Sequence, residues 1–197
     1  MTTQTTTETK TETKAPVIHR LLFKKEEVKV IKSILKRVDK TRQALDGVIV
    51  KDGAFIVTDG KVLFRVKDAQ RQPAGMINGL YDLLKAEKAG AFMELTLVLR
   101  EGLTPPNTDQ VINDAFNPDT IFDANLHESS EVITALCLMC FKRLNTVFNY
   151  ELLEIFAPLN ERFTASLCGI TAGRSPLKLT ANEWTALIMP LELKTPL

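Results

Sequence analysis

Two Asp-Gly pairs, Asp52-Gly53 and Asp59-Gly60, punctuate one apolar stretch and constrain this chain more than any other feature of it. Val48-Ile49-Val50 leads into the first pair, Ala54 to Val57 lies between them, and Val62 to Val66 follows the second. Asp-Gly accepts the positive φ that tight two-residue hairpin turns demand, and β-branched and aromatic residues favour extended backbone. The spacing predicts a three-stranded antiparallel meander. Such a ribbon leaves an apolar face bare until another layer covers it, so the covering elements must come from elsewhere in the chain.

The flanking segments supply candidates. Ile18 to Phe23 reads as a short strand, and Lys24 to Arg42 as an amphipathic helix with Val28, Ile31, Leu35 and Val38 at steps of three and four residues. A second helix is expected from Met76 to Ala89, with Leu80, Leu83 and Leu84 as its apolar stripe and Gly90 closing it. Phe92 to Leu99 is a strand, and Thr104 through Pro118, with Pro105-Pro106, reads as a connection. Thr120 to Leu126 is a further strand, and Ser129 or Ser130 is placed to cap a helix running to about Leu144. A short helix follows around Tyr150 to Phe156, stopped near Pro158. Phe163 to Leu167, Leu177 to Thr180 and Thr185 to Met189 complete the strands. Strand, helix, then several strands, repeated, describes an α+β protein with helices on one face of antiparallel sheets.

The 197 residues suffice for one sizeable domain or two small ones. Residues 1–16 hold eight threonines and almost nothing to bury, which predicts a disordered, solvated tail. Two units follow, 17–112 and a shorter 113–197. With 25 Lys and Arg against 24 Asp and Glu, the chain is not basic throughout, which excludes a histone-like coat for DNA. The balance is uneven, however: residues 1–112 carry 19 basic and 14 acidic side chains, and residues 113–197 carry 6 and 10. No apolar run reaches the ~18–20 residues that span a bilayer, and the start has no hydrophobic signal core. Together with the odd cysteine count of three, this points to a soluble protein of a reducing compartment, the cytoplasm.

Nothing in the chain has the pattern of an active site. Cys137 and Cys140 have metal or redox spacing, but zinc needs two more paired ligands, and redox chemistry needs a helix N-terminus. They sit between Leu136 and Phe141 inside an expected helix, as core cysteines do. His19 and His127 lack a nucleophile nearby in a recognisable context, Glu151 and Glu154 read as solvated helix charges, and the glycines are scattered through turns. Neither an enzyme nor a metal or cofactor is expected.

The first helix carries the one pattern suited to binding. Lys25, Lys29, Lys32, Lys36 and Lys40 recur at steps of four, three, four and four, forming a stripe beside the apolar face. Lysines about 6 Å apart along a helix can follow a phosphate backbone without reading bases, and they can equally be a solvated face.

Several stretches, in order, resemble the bacterial-type DNA polymerase sliding clamp, the β clamp. Ala44-Leu45-Asp46-Gly47-Val48-Ile49-Val50 followed by Phe55-Ile56-Val57-Thr58-Asp59-Gly60-Lys61-Val62-Leu63 is similar to a strand and "TDGhRL" hairpin of that family's middle domain. Pro105-Pro106-Asn107-Thr108-Asp109-Gln110-Val111-Ile112 resembles its connector, and Phe148-Asn149-Tyr150-Glu151-Leu152-Leu153 a helix start. Ser175 to Thr180 running into Leu187-Ile188-Met189-Pro190-Leu191-Glu192-Leu193 is similar to its closing segment.

The resemblance implies a DNA-clamp-like fold and a non-catalytic ring around duplex DNA that tethers a DNA polymerase. The lysine helix would then line the hole and face DNA. The family's cleft for partner peptides would fall on Thr58, Lys61, Leu63, Pro106, Met189, Pro190 and Leu191. Lys61 stands where the family has His, and Glu192 where it has Arg, so partner preference can differ. Residues 17–112 would form one clamp-like domain and 113–197 a shortened second one. Since the family's rings hold six domains, two-domain chains would close one as homotrimers. A reduced clamp of a phage or other mobile element fits this description. The alternative keeps the fold without the ring, as an interaction or regulatory module binding replication proteins.

Overall fold

A computed structural model of the chain describes residues 16–67, 72–112, 122–125, 146–159, 161–167 and 176–191. The expected tail through Ala15, the helix from Ser129 or Ser130 to Leu144, and Cys137 and Cys140 lie outside the described residues.

The meander forms as its turn residues dictate. Strands β2 (Val48–Lys51), β3 (Ala54–Thr58) and β4 (Val62–Lys67) pair antiparallel in that order. Lys51 faces Ala54 across a two-residue turn in which Asp52 and Gly53 have φ of 48° and 74°. The second turn differs from the expected two-residue form. Four residues, Asp59 to Val62, separate the paired Thr58 and Leu63, and only Gly60 has positive φ there.

Strand β1 (Ile18–Lys24) leads straight into helix α1 (Lys25–Arg37). Glu26 and Glu27 occupy its first turn and Lys36 and Arg37 its last, as the helix dipole favours, and the Lys24 amide donates to the Glu27 carboxylate at 2.8 Å. The helix stops five residues before the expected Arg42. Val38 turns extended (φ −64°, ψ 127°) with its side chain buried, and Asp39 accepts hydrogen bonds from the Thr41 amide and hydroxyl, each 2.9 Å. An aspartate that bonds the backbone two residues on offers it an alternative to helix.

Residues expected as a second helix form a strand instead. β5 (Gly79–Ala89) lies between β2 and β6 (Phe92–Leu99), paired to both. Leu, Ala, Lys and Glu favour helix, but two strand partners override that preference. The register breaks between Leu83 and Lys85, a bulge that moves the inward positions from Tyr81 and Leu83 to Ala86. The extra residue makes the leucines at 80, 83 and 84 imitate a helical stripe; in the fold Leu84 is 61% exposed.

Beyond the connector lie helix α2 (Thr108–Ile112), strand β7 (Phe122–Asn125), helix α3 (Tyr150–Glu154) and strands β8 (Arg162–Leu167), β9 (Leu177–Thr180) and β10 (Trp184–Ile188). All ten strands make one antiparallel sheet, ordered β1-β6-β5-β2-β3-β4-β10-β9-β8-β7. The meander and the C-terminal strands meet at the β4–β10 pair, where Leu63 faces Leu187 and Val62 faces Ile188.

Helices α1 and α3 cover one face. Val28, Ile31 and Ile34 of α1 share a core with Phe55, Val57, Leu95 and Leu97, and Leu152, Leu153 and Phe156 continue that core over the C-terminal strands. Trp184 is its largest member there, with ring centroids 6.1 Å from Phe64 and 6.4 Å from Phe156; its indole N–H donates to Glu161 at 3.0 Å. The opposite face carries a smaller cluster in which Ile112 and Leu103 of the connector pack on Ile49, Ile56, Leu63, Leu80 and Leu187. The expected connection thus returns across the sheet, and Lys51 pairs with Asp109 of α2 to hold it there.

Candidate functional site

At the seam, the β3–β4 loop, the connector and the end of β10 converge on a groove of about 170 Å³. Its floor is apolar, from Leu45, Val62, Leu63, Leu187 and Met189, and its polar lining comes from Arg42, Thr58, Lys61, Asn107 and Thr108. Of the seven cleft residues named by resemblance, Thr58, Lys61, Leu63, Pro106 and Met189 line it. Pro190 and Leu191 do not: Pro190 is half-buried beside it, and the Leu191 amide donates to the Val147 carbonyl at 2.7 Å. Arg42, Leu45, Gly60, Val62, Asn107, Thr108 and Leu187 line it without having been named. Leu45 and Leu187 sit within the quoted motifs, but which of their neighbours face the groove depends on the register. Arg42 was counted as the end of a helix.

Asp59 organises the loop. Its carboxylate is 4% exposed; one oxygen accepts the Lys61 and Val62 amides, both at 2.8 Å, and the other accepts Arg37 Nε at 3.2 Å. The Thr58 hydroxyl donates to the Val62 carbonyl at 2.7 Å and accepts the Gly60 amide at 3.0 Å. Arg42 donates to the Asp59 carbonyl at 3.3 Å and lies over Gly60, where an added Cβ would meet its Nη1 at 2.6 Å. The Met189 amide donates to the Lys61 carbonyl at 2.8 Å. Segments from residue 37 to residue 189 therefore hold one four-residue loop.

The lysine stripe lies along α1. Lys29, Lys32 and Lys36 are exposed and have no ion pair among the described residues, whereas Lys25 is half-buried. Lys40 falls outside the helix, because α1 ends at Arg37, and it binds the Asp46 carboxylate at 2.9 Å. Lys32, Lys36 and Lys40 border a recess of about 540 Å³ whose far wall holds Asp82 and Arg100. Arg100 donates to Asp82 and to the Gln43 and Asp46 carbonyls; the Asp82 hydrogen bond raises its pKa further. At the start of the helix Lys24 bridges Glu183 (2.8 Å) and Glu161 (3.0 Å), and the Glu183 hydrogen bond raises its pKa against the opposing effect of burial. Among the described residues, no three His, Cys, Asp or Glu side chains group as metal ligands, and no helix is long and apolar enough to cross a membrane.

Solved structures share this arrangement of strands and helices. The DNA polymerase sliding clamp of Bacillus subtilis aligns over 93% of this chain and 67% of its own, with a TM-score of 0.57 and 15% identity. The chain has the fold of a bacterial sliding clamp. The DNA polymerase III β subunit of Borrelia burgdorferi, solved in complex with a natural product, aligns over 89% and 64%, with a TM-score of 0.57 and 13% identity. The clamp of Bartonella birtlesii bound to griselimycin aligns over 88% and 66%, with a TM-score of 0.51 and 16% identity. No protein-family model matches the chain, and no curated protein matches it. The chain spans about two thirds of the length of the clamps it matches.

Proposed function

We propose that the protein is a clamp-like DNA polymerase processivity factor that encircles duplex DNA as an oligomeric ring. The observation that carries this reading is the clamp fold with a row of exposed lysines, without ion pairs among the described residues, on the helix covering the sheet. Lys29, Lys32 and Lys36 contact backbone phosphates without reading sequence, with Lys25 and Lys40 flanking them. The groove takes a short, largely apolar segment of a DNA polymerase or of another replication or repair protein; Thr58, Lys61, Leu63, Pro106 and Met189 receive it, with Pro190 and Leu191 beside them. An apolar floor with a few polar edges suits exchangeable partners.

The ring is a trimer of two clamp-like domains per chain, 17–112 and 113–197. β1 and β7 end the sheet, and β1 leaves Ile18 and Leu22 55% and 49% exposed, as an edge awaiting a second copy would. Light scattering on a sizing column is expected to give three chain masses, and the protein is expected to stay on closed circular DNA but slide off once the circle is cut. A concentration-independent monomer that leaves both DNAs equally fast sinks the ring.

A second reading is a clamp-like module that binds replication proteins without closing; Lys40 of the stripe is already bound to Asp46, which favours it. Reversing Lys29, Lys32 and Lys36 to Glu separates the two: DNA retention collapses for a clamp and partner binding persists for a module. Griselimycin, to which the Bartonella birtlesii clamp is bound, is the first probe of the groove. In calorimetry it is expected to bind wild type and to fail on Met189→Glu.

A further inference from the structure

The groove's wall is a loop that local turn chemistry leaves unfinished. Asp59 to Val62 is too long for a two-residue turn, and only Gly60 has the positive φ that would tighten it. Its shape comes from one nearly buried carboxylate. Asp59 fixes the Lys61 and Val62 amides through one oxygen and is itself fixed through the other by Arg37, in the last turn of α1. Both residues stand outside the groove lining, while Thr58, Gly60, Lys61, Val62 and Leu63, on either side of Asp59, all belong to it. The pair also settles the charge of the rim. With Asp59 satisfied by Arg37 and two amides, no carboxylate lines the groove to compete for Arg42 and Lys61.

We infer that Arg37 and Asp59 are positioning residues for the partner groove: they hold the 59–62 loop in its receptive shape from the end of the lysine-bearing helix, without touching the ligand. This rests on the reading of the groove as a binding site. A hydrogen bond to a charged acceptor that is 4% exposed is strong enough to hold a loop, and the ion pair keeps that acceptor aimed. Preorganisation of this kind raises affinity by removing the ordering cost at binding.

The test uses the full chain, with calorimetric titration of griselimycin and amide hydrogen exchange followed by NMR, at a temperature where each variant is folded by circular dichroism. Asp59→Ala is expected to speed exchange of the Lys61 and Val62 amides at least about tenfold and to weaken griselimycin about tenfold, roughly 1.4 kcal/mol. Asp59→Asn keeps an oxygen for the two amides and loses the charge, so it recovers most of the exchange protection and part of the affinity. Arg37→Gln, on a side chain 34% exposed, leaves the fold intact and weakens griselimycin about threefold. Unchanged affinity in Asp59→Ala and Arg37→Gln, with wild type binding, overturns the positioning role and leaves the groove standing. Wild type that fails to bind removes the groove reading, and this inference with it. Should Asp59→Ala not fold, Arg37→Gln and Asp59→Asn decide the matter.

Discussion

Strand β3 has an Asp-Gly pair at each end, and the two ends have different fates. At Asp52-Gly53 the dipeptide does what its own backbone preference allows. Both residues adopt positive φ, the turn closes in two residues, and side-chain help comes, among the described residues, from Asn78, which exchanges hydrogen bonds of 3.0 and 2.9 Å with Asp52. At Asp59-Gly60 the same dipeptide opens into a four-residue loop. Its aspartate turns inward, and Arg37, Arg42 and Met189 hold the result from segments far apart in sequence. The first turn is exposed and self-sufficient. The second depends on tertiary partners, and it is the one that shapes the candidate site. A turn complete in itself has nothing left to offer a groove, whereas a loop finished by distant residues can be shaped for binding.

Substitutions can break that contrast. Asp59→Ala removes the acceptor of two backbone amides and an ion pair from a buried position and should cost about 3 kcal/mol in urea unfolding, against under about 1 kcal/mol for Asp52→Ala on the exposed turn. Equal losses at the two sites would erase the distinction. The glycines should follow with smaller effects. Gly60→Ala meets both positive φ and the Arg42 guanidinium and should cost about 2 kcal/mol with loss of griselimycin binding, whereas Gly53→Ala pays only the backbone term, about 1 kcal/mol. Removing the guanidinium in Arg42→Ala together with Gly60→Ala should then recover part of the loss, a double-mutant cycle that isolates the contact.

On the DNA side the comparison sharpens between Lys36 and Lys40. Lys36 is free among the described residues and Lys40 is bound to Asp46, so Lys36→Gln should flatten the salt dependence of DNA binding by about 0.9 in log–log slope and Lys40→Gln by less. The smallest effect is at Asp39. Its pKa is lowered, first by the hydrogen bond from the Thr41 amide and then by the hydroxyl. A carboxylate depressed on folding stabilises above its ordinary range and loses that contribution as pH falls through its folded value. Asp39→Asn should therefore be slightly less stable than wild type at pH 7 in urea unfolding, with the difference closing as pH falls below about 4.

What could be read from the chain tracks how local each cause is. The meander, the start of α1 and strands β6, β9 and β10 follow from turn residues, end charges and hydrophobic spacing within a few positions. β5 could not be read that way, because the bulge after Leu83 disguised a strand as a helical stripe. Lys40 was misplaced on the helix for a related reason: Lys steps continue past Arg37, but the hydrogen bonds at Asp39 and the burial of Val38 end the helix first. Five of the groove's residues were reached through the clamp resemblance, and none through spacing alone. Arg42, Gly60 and Leu187 needed the register of β4 against β10.

Sequence alone determined that this chain contains a hairpin meander, an amphipathic lysine-bearing helix and apolar closing strands. Those outcomes are written in φ preferences and side-chain periodicity, which act between neighbours. Only the tertiary structure decided that residues 79–89 are a strand, that Asp59 turns inward to Arg37, and that the β3–β4 loop, the connector and the end of β10 share one groove. Each of those depends on partners distant in sequence: β2 and β6 for residues 79–89, the end of α1 for Asp59, and the pairing of β10 with β4 for the groove; the free energy of such contacts has no expression in a local stretch of chain.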